Sequence, residues 1–331
     1  MNRKAIALIS GGLDSLLAAK VIMEQGIEVL GVAFVMQFAS RDVRAFREHV
    51  NEAAADAGIP TRFVDISEEF LKIVKDPRHG YGSNLNPCID CKILMLRFAK
   101  DIMQEEKAGF VITGEVLGER PMSQRKDALN MIRKRSSLEG YLLRPLSARL
   151  LEETAPEKEG VIDREKLLDI SGRSREAQLE LAKKYDLRKF FTPAGGCLLT
   201  DPIFARRLKD LISRDDLNAD NVSLLKCGRH FRLDDETKVV VGRDEKDNRR
   251  VRDLKKGSDV MMRLKGRPGP YVLLRGNTSS ENVERAASLA ISHSKGKNEE
   301  SAAVEFWMAE ESRKTIMVGP MDAGEVERLR V

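Results

Sequence analysis

Apolar residues follow two rhythms along this chain. Residues 4–9 form a short, β-prone apolar run that ends at Ser10-Gly11-Gly12, after which Leu13, Leu16, Leu17, Val21 and Ile22 recur at helical spacing. The pattern predicts strand, turn, helix. Residues 28–38 predict a second buried strand, 42–57 a helix closed by Gly58, and 61–66 a third strand. Asn84-Leu85-Asn86-Pro87 breaks the chain into a loop, and the apolar face of another helix follows from Ile93 to Met103. Residues 109–113 and 141–146 predict two more strands. Strands alternating with helices require crossovers, so the expected fold is α/β: a doubly wound, mostly parallel sheet covered on both faces.

From residue 164 to about 213 the pattern is mainly helical, interrupted by a loop over 192–197. Beyond the polar stretch 215–220 it changes to short β runs (223–233, 238–241, 271–274, 315–318) around a helix over 281–292. The expected domains are therefore 1–215 and a smaller α+β domain over 222–331. The length, 331 residues, agrees with two domains of roughly 150 residues each.

Composition narrows the class. With 33% charged and 42% hydrophobic residues the chain reads as globular. Its longest apolar stretch, 29–36, is far short of the roughly 20 residues that span a bilayer. The first residues run straight into a Gly turn without a cleavage signature. A cytoplasmic protein with no membrane partner is expected. Four cysteines (Cys88, Cys91, Cys197, Cys227) are too few for a disulfide framework, and the C-x-x-C pair points to metal or redox chemistry.

The net charge of +5 matters less than its distribution. From Val222 onward there are 22 Lys and Arg against 18 Asp and Glu, and residues 243–275 hold 11 basic against 5 acidic. A second basic cluster comprises Arg120, Arg125, Lys126, Arg133, Lys134 and Arg135, opposed only by Asp127. Such clusters are candidate footprints for a phosphate backbone, although solvated helix faces carry similar charge.

Ser10-Gly11-Gly12-Leu13-Asp14-Ser15, between a strand and a helix, has the parts of an anion site. The glycines permit close backbone approach, the turn and helix N-terminus aim amides at the anion, and Ser10 and Ser15 add hydroxyls. Asp14 is out of place in a site that only attracts phosphate, and makes sense as a holder of Mg²⁺. The segment resembles the S-G-G-x-D-S loop of the PP-loop ATP pyrophosphatases (adenine nucleotide alpha hydrolase-like). That family cleaves ATP between the α and β phosphates and adenylates a substrate oxygen. ATP and Mg²⁺ are the cofactors this resemblance implies.

Asn86-Pro87-Cys88-Ile89-Asp90-Cys91-Lys92 resembles the N-P-[CD]-x-x-C-N segment of the tRNA 2-thiouridine synthetases of the MnmA family, where the second Cys works with a distant one. Cys91 matches the second Cys, and Cys197 is the candidate partner. Near a helix N-terminus a thiolate has a lowered pKa, which suits Cys91 as a persulfide acceptor resolved by Cys197. Resemblance to cluster-dependent thiolation enzymes implies the alternative, a [4Fe–4S] cluster on Cys88, Cys91 and Cys197. A zinc site is the remaining possibility. Cys227, in the apolar run 224–227, reads as a buried inert thiol.

Residues 113–124 follow a strand and so should lie where open α/β sheets bind ligands, with Gly114 at the nucleotide. They resemble the G-D-S-L-G-Q-x-x-S-Q segment of the 4-thiouridine synthetases of the ThiI family, with Glu115 in place of Asp and Glu119 in place of Gln. Arg144-Pro145-Leu146 resembles the R-P-L segment that follows. By this analogy Ser123 and Gln124 line the nucleotide or base pocket, and Arg120 or Arg144 stands near phosphates.

The last hundred or so residues resemble the RNA-binding module of the NFACT family. The likeness runs through Val241-Gly242-Arg243 to Asn248, then Gly269 to Arg275, then a helix ending in Ser294-Lys295. It implies Arg243, Asn248 and Arg275 as RNA contacts, joined by Arg120 and Lys126; a domain used for homodimerisation is the bland reading. Together the resemblances imply an ATP-dependent tRNA uridine thiolation enzyme with tRNA and a sulfur donor as partners, either a cysteine desulfurase or persulfide carrier, or free sulfide. The alternatives are a PP-loop enzyme transferring nitrogen or sulfur to a small molecule, and a nucleotide-sensing RNA- or ribosome-binding protein.

Overall fold

The computed structural model describes residues 2–38, 40, 42–191 and 197–331. The chain divides into two compact units, Met1–Asp201 and Pro202–Val331.

In the first unit the elements run β1 (Lys4–Leu8), α1 (Leu13–Met23), β2 (Glu28–Val35), α2 (Val43–Asp56), β3 (Thr61–Asp65), α3 (Ser67–Lys75) and α4 (Cys88–Glu105). They continue through β4 (Phe110–Ile112), α5 (Lys126–Arg135), β5 (Leu142–Leu143), the single turn α6 (Ala155–Lys158) and α7 (Glu176–Lys184). Among the described residues the strands form one sheet in the order β3-β2-β1-β4-β5, parallel at every pairing. Ala5, Ile6 and Ala7 of β1 are all buried, as a central strand covered on both faces requires. α1 is buried on most sides because it lies between this sheet and α7. Asp42 caps α2 by accepting from the Arg44 and Ala45 amides at 3.1 and 3.2 Å. The predicted α/β class and its strands are present; α3 is an element the sequence reading left within a connection.

That order has a consequence for function. From β1 the chain winds outward through β2 and β3, then returns to the other side of β1 as β4. The loops after β1 and β4 therefore part in opposite directions at one point of the sheet's carboxyl edge, which is where such folds take ligands.

The second unit opens with α8 (Pro202–Ser213) and α9 (Ala219–Leu225), followed by β6 (Arg229–Arg232), β7 (Lys238–Val241), α10 (Glu245–Asp253), β8 (Val260–Leu264), β9 (Val272–Arg275), α11 (Ser280–Ser292), β10 (Ala302–Trp307), β11 (Lys314–Val318) and α12 (Ala323–Leu329). Its strands form an antiparallel sheet ordered β11-β10-β8-β9-β7-β6. Side chains alternate between its faces: Val239, Val241, Val260, Met262, Val272 and Leu274 pack with α11, whereas Val240, Met261 and Leu273 pack with Leu224, Cys227 and Val251.

Two sequence expectations change here. α8, read with the first domain, belongs to the second unit: Arg207 donates to the Leu225 and Gly228 carbonyls and Asp210 pairs with Arg232. The β run expected over 223–233 begins only at Arg229. Asn218 caps α9 through the Asn221 amide, so 223–225 are helical, and Gly228 at φ +71° makes the turn into β6. Strands β8 and β10 add to the β runs expected from the sequence.

Candidate functional site

The loop after β1 is shaped by its glycines and serines. Gly11 has φ +74°, and a Cβ there would stand 2.9 Å from the Phe191 ring. Ser15 Oγ donates to the Gly12 carbonyl at 2.7 Å and accepts from the Ser10 amide at 3.2 Å. Gly12, extended, precedes α1 without a side-chain cap, so the uncapped first turn is presented at the sheet edge, where it suits an anion. Phe191 lies alongside, its amide donating to Gly11 O at 2.7 Å. The expected loop over 192–196 lies outside the described residues.

Gly114, at the exit of β4, sits directly on this turn. A Cβ at Gly114 would come within 2.4 to 2.5 Å of the Asp14 carbonyl and the Ser15 nitrogen, so only glycine lets the two loops meet. Burial raises the Asp14 carboxyl, against the Arg175 and Arg120 guanidiniums that oppose the rise. Arg175 Nη2 lies 3.8 Å from Asp14 Oδ2. Asp14 Oδ1 is buried without a hydrogen-bond partner among the described residues. Glu119 is also raised, first by burial and then by Asp14. Two buried-leaning carboxylates beside an open backbone turn form a donor set suited to a hard cation such as Mg²⁺.

Beneath this, Glu115 is 2% exposed and bonds Arg144 Nε at 2.9 Å, with Lys92 at 3.6 Å. Burial alone would raise Glu115, but Lys92 and Arg144 hold its carboxyl below the usual range. Of the two arginines offered as standing near phosphates, Arg144 is 4% exposed and donates to Glu115 and the Leu129 carbonyl, bracing the turn after β4. Ser123 is fully buried, and Gln124 Oε1 accepts from the Arg120 amide at 3.0 Å.

Cys88 and Cys91 open α4, and Asp90 between them accepts from His79 twice, at 2.9 and 2.7 Å, which pins the preceding loop. Cys197 lies against the Phe38 carbonyl at 3.7 Å. Electrostatic coupling ties Cys91 to Cys197 and Cys88, and Cys197 to Cys88. Lys92, the residue after Cys91, reaches Glu115 at 3.6 Å, and Glu115 follows the Gly114 that packs on Asp14 and Ser15, so the start of α4 and the phosphate loop adjoin the same turn. The lowered pKa expected for Cys91 is corrected. Burial pushes both thiols up, outweighing Lys92 at Cys91 and the Leu199 backbone hydrogen bond and Arg120 at Cys197, so without substrate both are protonated. Three thiols are suitable donors for a cluster, but among the described residues no group of three or more metal-ligating side chains is drawn together to hold an ion. Cys227 is fully buried, donates to the Leu224 carbonyl, and is pushed up to about 12 by burial, in keeping with an inert thiol.

Sequence reasoning missed Arg175 and Gln178. They lie at the start of α7, more than 160 positions after Asp14, and only the packing of α7 on α1 brings them to the loop. No local spacing announces such a pair.

In the second unit, Asn248 Oδ1 accepts from the Tyr271 amide at 2.9 Å, and Arg275 is tied to Asp259 at 2.6 Å and to Asn221 at 2.9 Å. Both hold the unit together. Arg243 pairs with Asp247 but remains partly exposed, and Lys126 is exposed at the start of α5.

Comparison with known proteins agrees with this architecture. Residues 1–154 match the family model described as Thiamine biosynthesis protein (ThiI), and residues 228–330 match the one described as NFACT protein RNA binding domain. The first match lies within the first unit and the second within the second. Among individual relatives, the tRNA-specific 2-thiouridylase MnmA of Syntrophotalea carbinolica is 32% identical over 116 residues, 33% of this chain and 32% of the relative. A probable tRNA sulfurtransferase of Thermococcus kodakarensis is 28% identical over 173 residues, 51% of this chain and 40% of the relative. The chain spans a third to two fifths of the length of these relatives. A 4-thiouridine synthetase solved as an RNA complex with bound ATP aligns at a TM-score of 0.39 and 21% identity, over 67% of this chain and 52% of that one. Among the described residues no helix is long and apolar enough to cross a membrane.

Proposed function

We propose that this protein thiolates a uridine of tRNA at the expense of ATP. The observation that carries the reading is the meeting of the turn after β4 with the phosphate loop: Gly114 packs on Asp14 and Ser15, and the adjoining Glu115 pairs with Lys92, next to Cys91. The ThiI and NFACT domain matches and the thiolating relatives support it.

The loop amides and the hydroxyls of Ser10 and Ser15 hold the phosphates of ATP, with Gly114 leaving room for them. Mg²⁺, held by Asp14 with Glu119 beside it, would neutralise the charge of the departing pyrophosphate. Arg120 and Arg175 hold the α-phosphate in line with the attacking uracil oxygen, which forms the O–P bond as the bond to pyrophosphate breaks. The target base leaves its stack to reach the pocket. Sulfur supplied by a donor as a persulfide on Cys91 or Cys197 then attacks the adenylated carbon, and AMP leaves with the C–O bonding pair. The second cysteine attacks the first, releasing the thiolated base and leaving a Cys91–Cys197 disulfide for an external thiol to reduce. The thiols need a cation or a shift of solvent to ionise, because burial holds them protonated.

The test is nucleoside mass spectrometry of tRNA after incubation with ATP, Mg²⁺ and a sulfide or persulfide donor, alongside pyrophosphate release. Wild type forms thiouridine. Asp14→Ala loses both signals, whereas Cys91→Ala keeps pyrophosphate release and loses thiouridine. Pyrophosphate release that responds to a small substrate and not to tRNA would sink the tRNA reading. An anaerobic absorbance spectrum with iron and sulfide analysis decides the sulfur route: a brown, iron-containing protein bleached by Cys197→Ala replaces the persulfide relay with a cluster.

A further inference from the structure

The antiparallel sheet of the second unit carries a row of three cations that sheet stability does not explain. Arg232 of β6 stands opposite Lys238 of β7, and Lys238 stands opposite Arg275 of β9. Residues directly opposite share a face, and like charges in that relation destabilise a sheet. The outer two have partners: Arg232 bonds Asp210 at 2.8 Å and Asp216 at 3.4 Å, and Arg275 bonds Asp259 at 2.6 Å. Lys238 has none. It is 2% exposed, and its Nζ makes no hydrogen bond among the described residues, although a buried polar group normally finds one.

All three cations line a cavity of about 250 Å³, several times the ~30 Å³ that one water occupies in the liquid. Arg232 and Lys238 are buried, while Arg214, Asp215, Asp235 and Glu236, which also line it, are exposed, and the half-buried Asp216 in its wall is engaged by Arg232. A row of cationic donors with the central one unsatisfied calls for a compact ligand with several acceptor oxygens and negative charge. We propose that this cavity binds a phosphate group, with Lys238 Nζ as its buried donor and Arg232 and Arg275 on either side.

Binding should carry a proton with it. Burial, then Arg232, lower Lys238 to about 7, with Arg275 adding to the fall while Asp210 and Asp216 oppose it. Arg214, just after α8 and itself paired with Asp210 and Asp235, is the other cation at the cavity. An arriving phosphate favours the ammonium, so above pH 7 the lysine takes up a proton as the anion binds. Free phosphate and the terminal phosphate of an RNA strand present the same chemistry.

The test is isothermal titration of inorganic phosphate into the full chain at pH 8, in two buffers of different ionisation enthalpy. Wild type and Lys238→Met both retain the phosphate loop, so their difference isolates this cavity. The expected result is affinity at least tenfold weaker in the variant, a loss of 1.4 kcal/mol or more, and uptake of about one proton per phosphate in wild type only. Equal affinity and equal proton uptake in the two proteins overturn the proposal. Should Lys238→Met fail to fold, Lys238→Gln takes its place in the same comparison: lost proton uptake and weaker binding support the proposal, and values equal to wild type overturn it. A 5′-phosphorylated RNA oligonucleotide preferred over its dephosphorylated form, with the preference lost in the variant, assigns the site to an RNA end. Phosphate binding without that preference assigns it to the free anion.

Discussion

Asp14 is held between two tendencies, and its neighbours decide its charge. Burial raises its carboxyl while Arg175 and Arg120 oppose the rise. Removing Arg175 removes the first of those cations, so the ionised form becomes harder to reach and the carboxyl moves further up. If the carboxylate holds Mg²⁺, the acid limb of pyrophosphate release should shift to higher pH in Arg175→Gln and return towards wild type in Arg175→Lys. An unmoved limb with only a weaker rate would limit Arg175 to holding phosphate. Glu115 is a different case, since it is spent wholly on position. Glu115→Ala leaves Arg144 buried and unpaired, and should cost about 3–5 kcal/mol in urea unfolding, the usual penalty for breaking a buried pair. At this scale the Ser-Gly-Gly-x-Asp-Ser string was legible because the loop's chemistry is contiguous. The role of Arg144 was not, because a motif states which residue is present and not which way it faces.

At the scale of elements, the meeting of two loops at the switch point is the main constraint. Gly114→Ala would drive a methyl into the backbone of Asp14 and Ser15, displacing the first turn of α1. A cost of about 1–3 kcal/mol is expected from overpacking, together with loss of ATP-dependent pyrophosphate release; unchanged release would mean the loops do not meet under ATP. Strand β7 permits a second prediction. Lys238, ordinarily at 10.5, is lowered to about 7 by burial and then by Arg232. Between pH 7 and 10 the unfolded chain therefore binds a proton that the folded one does not, so stability rises with pH. Its slope approaches about 1.4 kcal/mol per pH unit. Urea denaturation of the second unit's transition at pH 7 and pH 9 should show that rise in wild type and its loss in Lys238→Met. Short apolar runs revealed β7 and β9 in the sequence; β8 and β10, interrupted by Arg and Glu, do not stand out without their partners.

For the whole molecule, each unit has its own buried core. Calorimetry should therefore resolve two transitions. ATP with Mg²⁺ at a hundred times its Kd should stabilise only the first unit, by about 2.7 kcal/mol, which for a unit of its size is roughly 5–11 °C. Both transitions moving together would mean the units unfold as one. The placement of α8 bears on where the chain may be cut: Asp210 and Arg207 serve the second unit, so a break after residue 215 would strip it of α8, and a break at Asp201 would not.

The order of local events was written in the sequence: strand, glycine turn and helix at the start, the paired cysteines on a helix N-terminus, the change to antiparallel β in the last third. Each rests on spacing between near neighbours, which backbone periodicity and glycine stereochemistry convert directly into structure. Tertiary structure alone decided which of these features meet. It brought Arg175 to Asp14, raised the Cys91 thiol that a helix N-terminus alone would lower, and aligned Arg232, Lys238 and Arg275 across three strands. Burial and cross-strand register are properties of distant segments packed together, and no short stretch of sequence contains them.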